Sequence, residues 1–329
     1  MAFHRRYFIE WRFDARMTGS DKIVVTGAAG LVGQNLIPRL LERGHDSIVA
    51  IDKHESNTAT LARLNPGIDV IEADLAKPGA WEKALAGART LVLNHAQIGA
   101  LDEKPFIDNN VTATENVIAA AKTSRVGNVI HISSSVVNSL ASDFYTETKK
   151  AQEKLAVETG LPTSVLRPTL MFGWFDRKHL GWLARFMQRT PVFPVPGDGQ
   201  YLRQPLYVGD FCNIIASCIE SPRPGKTFNI SGREMIPYIE LIRTVKAATK
   251  SSTRVVCIPY PLFWILLRTY ALADKNPPFT TQQLEALVTP ETFEIIDWPA
   301  IFNVRATPLA EALRETFQHP VYSRVAFDF

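Results

Sequence analysis

The chain has 329 residues, 46% of them hydrophobic and 21% charged, with a formal net charge of +3. That length holds one large α/β domain, or a domain with a cap, and the balance is that of a soluble globule. No long basic block supports nucleic-acid binding, and the seven histidines show no metal-ligand spacing. The three cysteines, Cys212, Cys218 and Cys257, form no CxxC pair and read as buried thiols in a reducing, cytoplasmic setting.

Residues 1–20 precede the fold. Arg5, Arg6, Arg12 and Arg16 alternate with aromatics, as in a transit peptide, but no continuous apolar core makes a secretory signal. The stretch reads as an extension or an upstream start, with Met17 as the alternative start. Ile23–Thr26 is a predicted strand and Leu31–Arg43 a helix bent at Pro38. Between them stands Thr26-Gly27-Ala28-Ala29-Gly30-Leu31-Val32-Gly33. A glycine triplet is weak alone, but here it lies where a strand turns into a helix. Gly27 permits the tight turn, Gly30 lets backbone approach a pyrophosphate, and Gly33 lets the helix pack on the strand. The N–H groups at the helix start, from Leu31 and Val32 on, then face phosphate with the positive end of the dipole.

Ser47–Ile51 is a second strand ending at Asp52, 19 residues after Gly33. That spacing suits a carboxylate on a ribose 2′-hydroxyl and favours NAD over NADP, with the cation Lys53 beside it weakening the preference. Further strands are expected at Asp69–Glu72, Leu91–Asn94, Asn128–Ile132 and Ser164–Arg167, with helices at Val111–Lys122 and Tyr145–Glu158. Alternation of this kind predicts a parallel sheet covered by helices on both faces. After Arg167 the pattern loosens and prolines cluster, which reads as a smaller lobe. Trp174, Phe175 and Trp182 are expected to fill its core, with the shaping of a substrate pocket as the alternative, and Gly197-Asp198-Gly199 is a tight turn. Asp210 is expected to cap a helix from Phe211 to Glu220. Tyr260–Ala273 is the most apolar helical stretch, too short to span a bilayer and interrupted by Arg268, and reads as a core or cap helix. A helix for a membrane surface or a partner is the alternative.

The chemistry centres on Ser134, Tyr145 and Lys149. Tyr145 follows Ser134 by eleven residues and Lys149 follows Tyr145 by four, so both side chains share one helix face. A free phenol has a pKa near 10, and a neighbouring ammonium would stabilise the phenolate as a base. A serine hydroxyl would hold the reacting oxygen while hydride leaves. His131 reads as structural inside a buried strand, and His95 as an ordinary hydrogen-bonded histidine, with a place facing cofactor or substrate as the alternative.

These pieces resemble an extended short-chain dehydrogenase/reductase of the NAD-dependent epimerase/dehydratase group, over about residues 21–315. Matching segments include Asp74-Leu75, Leu93-Asn94-His95-Ala96, Asn110 to Val117, Ile132-Ser133-Ser134, Tyr145 to Lys149 and Arg167-Pro168. The resemblance implies a doubly wound α/β Rossmann domain over 21–168, with segments near 203–230 returning to it. Residues 169–202 and 231–329 would form the substrate lobe. It also implies NAD as cofactor, with Asp74 and Leu75 beside the adenine, Asn94 and Ala96 lining the trough, and Pro168 near the nicotinamide. Asn110 would order the catalytic helix. Ser134 aligns with the family's catalytic serine, with Ser135 one residue away as the alternative.

Arg203-Gln204-Pro205-Leu206-Tyr207-Val208-Gly209-Asp210 resembles the segment whose arginine grips a nucleotide-sugar diphosphate, although a surface arginine explains it equally. Leu170 stands where sugar-nucleotide enzymes of the group carry asparagine, and Val136 follows without the acidic pair of the dehydratases. The expected activity is a sugar-nucleotide 4-epimerase using transient hydride transfer. The alternatives are a dehydrogenase or reductase of a non-nucleotide secondary alcohol, favoured by Leu170, and a non-catalytic NAD-bound subunit. The expected partners are a small-molecule substrate and a second copy of the chain in a homodimer, with no nucleic acid and no membrane span.

Overall fold

The computed structural model describes residues 21–273, 281–290 and 292–325. Residues 1–20 lie outside it, and so does the expectation made for them. Seven strands form one parallel sheet in the order β11-β6-β5-β4-β1-β2-β3. They are β1 (Ile23–Thr26), β2 (Ile48–Asp52), β3 (Asp69–Glu72), β4 (Thr90–Leu93), β5 (Asn128–Ile132), β6 (Thr163–Pro168) and β11 (Thr227–Ile230). β1, β4 and β5 are buried along their whole length, which explains why apolar residues dominate them. Side chains of alternate strand positions feed two cores. Val25, Leu36, Ile37 and Phe211 lie in one, Val24, Leu91, Val117 and Val129 in the other.

Helices α1 (Leu31–Glu42) and α7 (Val208–Glu220) pack together, and α4 (Ala113–Thr123) and α5 (Phe144–Val157) form a second pair. Helix α2 (Glu55–Leu64) covers β3. A short turn of helix, α3 (Lys104–Phe106), runs through a π-helical stretch, Ile107–Thr112, into α4. The sequence reading began this helix at Val111, and the polar run before it gave no periodic signal.

The rest of the chain builds a smaller body. Strands β8 (Val192–Pro196) and β13 (Arg254–Ile258) pair in parallel, as do β7 (Met171–Phe172) and β10 (Leu206–Tyr207). Strands β9 (Leu202–Arg203) and β12 (Ile236–Pro237) pair antiparallel. Helices α6 (Leu180–Arg189), α8 (Tyr238–Thr249) and α12 (Leu309–Gln318) close over Phe193, Val195 and Leu241 in a third core.

Three expectations are corrected here and a fourth is narrowed. Asp210 does not cap a helix: α7 starts at Val208, so Asp210 lies in its first turn and accepts Thr307 N at 2.9 Å and Thr307 Oγ1 at 2.6 Å. Burial pushes its carboxyl up to about 6. Cys257 is exposed on edge strand β13, whereas Cys212 and Cys218 are buried. Trp174 and Phe175 are buried, but Trp182 is 39% exposed and stacks on Phe186. Helix α9 (Tyr260–Ala273) was expected as a core or cap helix, and the core alternative does not hold, because Leu262, Ile265 and Leu266 are each about half exposed while Phe263 is buried. A residue-level apolar count cannot tell a helix sunk in the core from one that shows an apolar face. Among the described residues, no helix is long and apolar enough to cross a membrane.

Candidate active site

Parallel strands place all their carboxyl ends on one edge of the sheet, and β1 and β4 meet there at the point where strand order reverses. The glycine turn leaves β1 at that point. Gly27 has φ +62°, and a Cβ on it would come within 2.6 Å of the His95 Cα. Gly33 seats α1 on the turn, since a Cβ there would fall 2.3 Å from the Ala28 carbonyl oxygen. Gly30 heads α1 in extended conformation, and a Cβ on it would stand in the open cradle, meeting only Gly27 O at 3.4 Å. Bare backbone with the first N–H groups of α1, from Leu31, Val32 and Gly33, is the donor set that a pyrophosphate requires.

Asn94 locks this turn from the end of β4, its Nδ2 donating to Gly27 O at 3.0 Å. Asp52 is buried at the end of β2 and accepts Ala29 N at 2.9 Å, Lys53 N at 2.7 Å and His54 N at 3.2 Å. The bonds fix its carboxylate against the turn while leaving lone pairs for ribose hydroxyls. Lys53 extends away to Asn109 Oδ1 at 2.6 Å. Asp74 pairs with Lys77 at 3.1 Å, and buried Leu75 accepts Asn116 Nδ2 at 3.0 Å through its carbonyl. Ala96 is exposed beyond β4, and Pro168 is buried at the end of β6. Asn110 is fully buried. It receives Gln97 N at 2.6 Å and donates to Thr148 Oγ1 at 3.0 Å, tying the loop after β4 to helix α5.

Helix α5 starts at an N-cap, Asp143, which accepts Thr146 N at 3.0 Å. That cap places Tyr145 in the first turn, where its side chain meets Ser134 at the end of β5 in a hydrogen bond. The neighbouring Ser133 is already committed, donating to Glu153 Oε2 at 2.5 Å. Ser134 is therefore the serine that faces the tyrosine, and Ser135 opens the following 3₁₀ turn. Burial pushes the Tyr145 phenol up, Ser134 opposes this, and the charge of Asp143 adds to it. The expected lowering of Tyr145 by Lys149 is not what dominates in the protein alone. The Lys149 ammonium is drawn to other partners, donating to Ile132 O at 3.0 Å and to Gln152 Oε1. Lys149 is only 1% exposed, and burial pulls it down to about 7, against the opposing charge of Glu153.

Several functional neighbours gave no sequence signal. Glu153 joins four elements: Ser133 on β5's end, Lys149 one turn back on α5, Arg167 on β6 and, through Arg167, the turn after Ser134. Arg167 Nε donates to Glu153 Oε2 at 2.9 Å and its Nη1 to Asn138 Oδ1 at 3.0 Å. Only the four-residue step from Lys149 could have pointed to Glu153. His95 and His131 are fully structural in setting. His95 lies between Thr26 Oγ1 at 2.9 Å and Thr114 Oγ1 at 3.0 Å, and burial with the Lys149 charge pulls it down to about 3. His131 is driven well below the usual histidine range by burial, then by Lys149 and His95.

Arg203 sits in the smaller body. It donates to Thr289 O at 2.8 Å and to Leu287 O, and its guanidinium lies 5.3 Å from the Tyr201 ring centroid. Leu170, just past Pro168, is 43% exposed.

A sequence model described as the NAD dependent epimerase/dehydratase family matches residues 23–231, well over half of the chain. A 2-alkyl-3-oxoalkanoate reductase of Stenotrophomonas maltophilia is 29% identical over 312 residues, spanning 83% of this chain and 91% of that protein. In three dimensions the chain is similar to a UDP-glucuronic acid 4-epimerase of Bacillus cereus solved with NAD. The TM-score is 0.70 at 21% identity, covering 91% of this chain and 96% of that one. A UDP-glucose 4-epimerase of Thermotoga maritima, solved with UDP-glucose, gives a TM-score of 0.71 at 18% identity, covering 91% and 98%. At these identities the two structures show a shared fold.

Proposed function

Because this chain belongs to the NAD-dependent epimerase/dehydratase family, we propose that it inverts a secondary alcohol carbon of a sugar nucleotide, as a 4-epimerase. The observation that supports the reading is that Ser134 faces Tyr145 at the carboxyl edge of the sheet that also carries the glycine turn, with Lys149 one turn further along the same helix. Bound NAD supplies the hydride acceptor and donor. Tyr145 removes the hydroxyl proton as the carbon is oxidised and returns it as the carbon is reduced from the other face. Ser134 holds the reacting oxygen through both half-reactions. Lys149 brings its positive charge to the phenolate side of that exchange. Asp52 holds the adenosine ribose and disfavours a 2′-phosphate. Arg203 lies in the body that would receive the nucleotide, and it would exchange its carbonyl partners for the diphosphate. The names of the two structurally similar epimerases support this substrate class. We further propose that the chain works as a homodimer, with 169–202 and 231–329 as the substrate lobe.

One observation favours a second reading. Leu170 on the loop after β6, Leu140 on the loop after β5 and Phe144 at the start of α5 are exposed apolar side chains on the segments that follow these strands. Together with the reductase relative, these side chains suit a dehydrogenase or reductase of a non-nucleotide alcohol. Incubation with UDP-glucose and UDP-glucuronic acid separates the two. The proposed epimerase converts one of them with no steady rise in absorbance at about 340 nm. Stoichiometric NADH release with a simple secondary alcohol, and no conversion of either sugar nucleotide, would replace it by the second reading.

A further inference from the structure

Lys149 is held by an apparatus that the catalytic triad does not explain. Its ammonium has three N–H donors, and two are used inside the protein, on Ile132 O and Gln152 Oε1. Gln152 is completely buried one turn further along α5. Its Nε2 lies 3.0 Å from the His95 carbonyl oxygen and 3.0 Å from Thr114 Oγ1. A carbonyl oxygen only accepts, so the group facing His95 O must be the NH2 of the amide. The amide therefore cannot be turned over, and its oxygen must face Lys149.

The same logic runs on through the network. Thr114 Oγ1 accepts from Gln152, so its own hydrogen goes to His95 Nε2. Nε2 is then the bare nitrogen, and Nδ1 carries the proton that it donates to Thr26 Oγ1. Thr26 Oγ1 also accepts Asn94 N at 3.1 Å and passes its hydrogen to Val92 O at 3.3 Å. Every donor has an acceptor in one consistent direction, which requires a neutral His95. That neutrality agrees with its burial and with the nearby lysine. A buried, one-way chain of hydrogen bonds thus links the residue before Gly27 to the catalytic ammonium.

We propose that Gln152 is a positioning residue of the active site, whose side-chain oxygen, aimed by His95 and Thr114, holds Lys149 in place and in its charged form. The proposal rests on the reading of Lys149 as a member of the catalytic group. Burial draws the lysine down to about 7 against the opposing charge of Glu153, and the two carbonyl oxygens stand where water would otherwise solvate the ammonium. The titratable and charged groups around it are His95 beyond β4, His131 on β5, Tyr145 and Glu153 on α5 itself, and Arg167 on β6 paired to Glu153. Helix α4 contributes the uncharged Thr114.

The test is a carbon-13 NMR titration of the NAD-loaded protein, with lysines labelled at Cε and Lys149→Met assigning the resonance. Gln152→Met should lower the Lys149 midpoint by at least one pH unit, a tenfold change in proton affinity. Thr114→Val, which only frees the amide, should lower it by less. Gln152→Glu should raise it, because a carboxylate takes the place of the amide oxygen. A residue that merely packs would not move the midpoint in opposite directions. If Gln152→Met does not fold, the opposed shifts of Thr114→Val and Gln152→Glu carry the test. An unmoved Lys149 resonance in these variants overturns the proposal. A Tyr145 titration indifferent to Lys149→Met would overturn the catalytic reading beneath it instead.

Discussion

Lys149→Met should reveal how much stability the candidate site costs. The lysine is 1% exposed and its midpoint is drawn from 10.5 to about 7 in the folded protein. Below about pH 7 both folded and unfolded chains hold the proton, so the cost of the buried charge is at its full value and stability does not vary with pH through this group. Between about 7 and 10.5 the unfolded chain still holds it while the folded chain has lost it, so folding stability rises with pH by about 1.36 kcal/mol per unit. Across pH 7.5–9.0 that amounts to about 2 kcal/mol. Methionine removes this slope. It also leaves Ile132 O and Gln152 Oε1 without the ammonium, a cost of about 1–3 kcal/mol for each group, which does not vary with pH. The slope therefore isolates the buried charge from the lost hydrogen bonds. Urea unfolding of both proteins, stripped of cofactor, should show the wild type gaining on the variant by about 2 kcal/mol from pH 7.5 to 9.0. Parallel stability curves over that window would refute the argument, and with it the idea that burial dominates at this lysine.

Tyr145→Phe should leave NAD binding largely intact and slow turnover by about 10²- to 10⁴-fold, read in single-turnover assays. Asp52→Ala should relax the preference for NAD over NADP, and calorimetry showing equal affinities in the wild type would remove the basis for that role. Glu153→Ala should lower stability by about 3 kcal/mol in urea melts, since Arg167 is left half-buried without its carboxylate and Ser133 loses its acceptor. Burial holds His95 neutral and draws it to about 3, so acid should weaken the fold progressively as pH falls from about 6.5. His95→Gln should flatten that acid limb.

The sheet was legible because its signals are local. Short strand-forming runs such as Ile23–Val25 and Asn128–Ile132 fall between turn residues, and the glycine triplet sits at fixed offsets from β1. Ser134, Tyr145 and Lys149 could likewise be nominated from sequence, because two share one helix face and the third follows β5 by two residues. What escaped depends on contacts far apart in sequence. Gln152 meets His95 across 57 residues and Thr114 across 38, and no spacing rule links an amide to a histidine carbonyl. The start of α7 was misjudged because Val208 and Gly209 carry no capping signature, which left Asp210 to be read as a cap. Helix α9 stayed open between core and cap because composition registers hydrophobicity and not which side of a helix finds a neighbour. Arg203 was read from its segment alone, and its carbonyl partners come from residues 84 and 86 positions away.

The seventh strand has a consequence for how the chain comes off the ribosome. β11 pairs with β6 only after the chain has left the sheet at Pro168 and returned at Thr227. Helix α7, which covers α1, also comes late, and Cys212 Sγ reaches back to Val32 O at 3.6 Å. A nascent chain that has just completed β6 thus carries the glycine turn and the serine, tyrosine and lysine, yet has an open strand edge and an uncovered helix face. Closing both waits on some sixty further residues, about 3–12 s of synthesis at ordinary elongation rates. During that interval the half-built sheet is the segment most in need of a chaperone, and a ribosome stalled near residue 200 should display it.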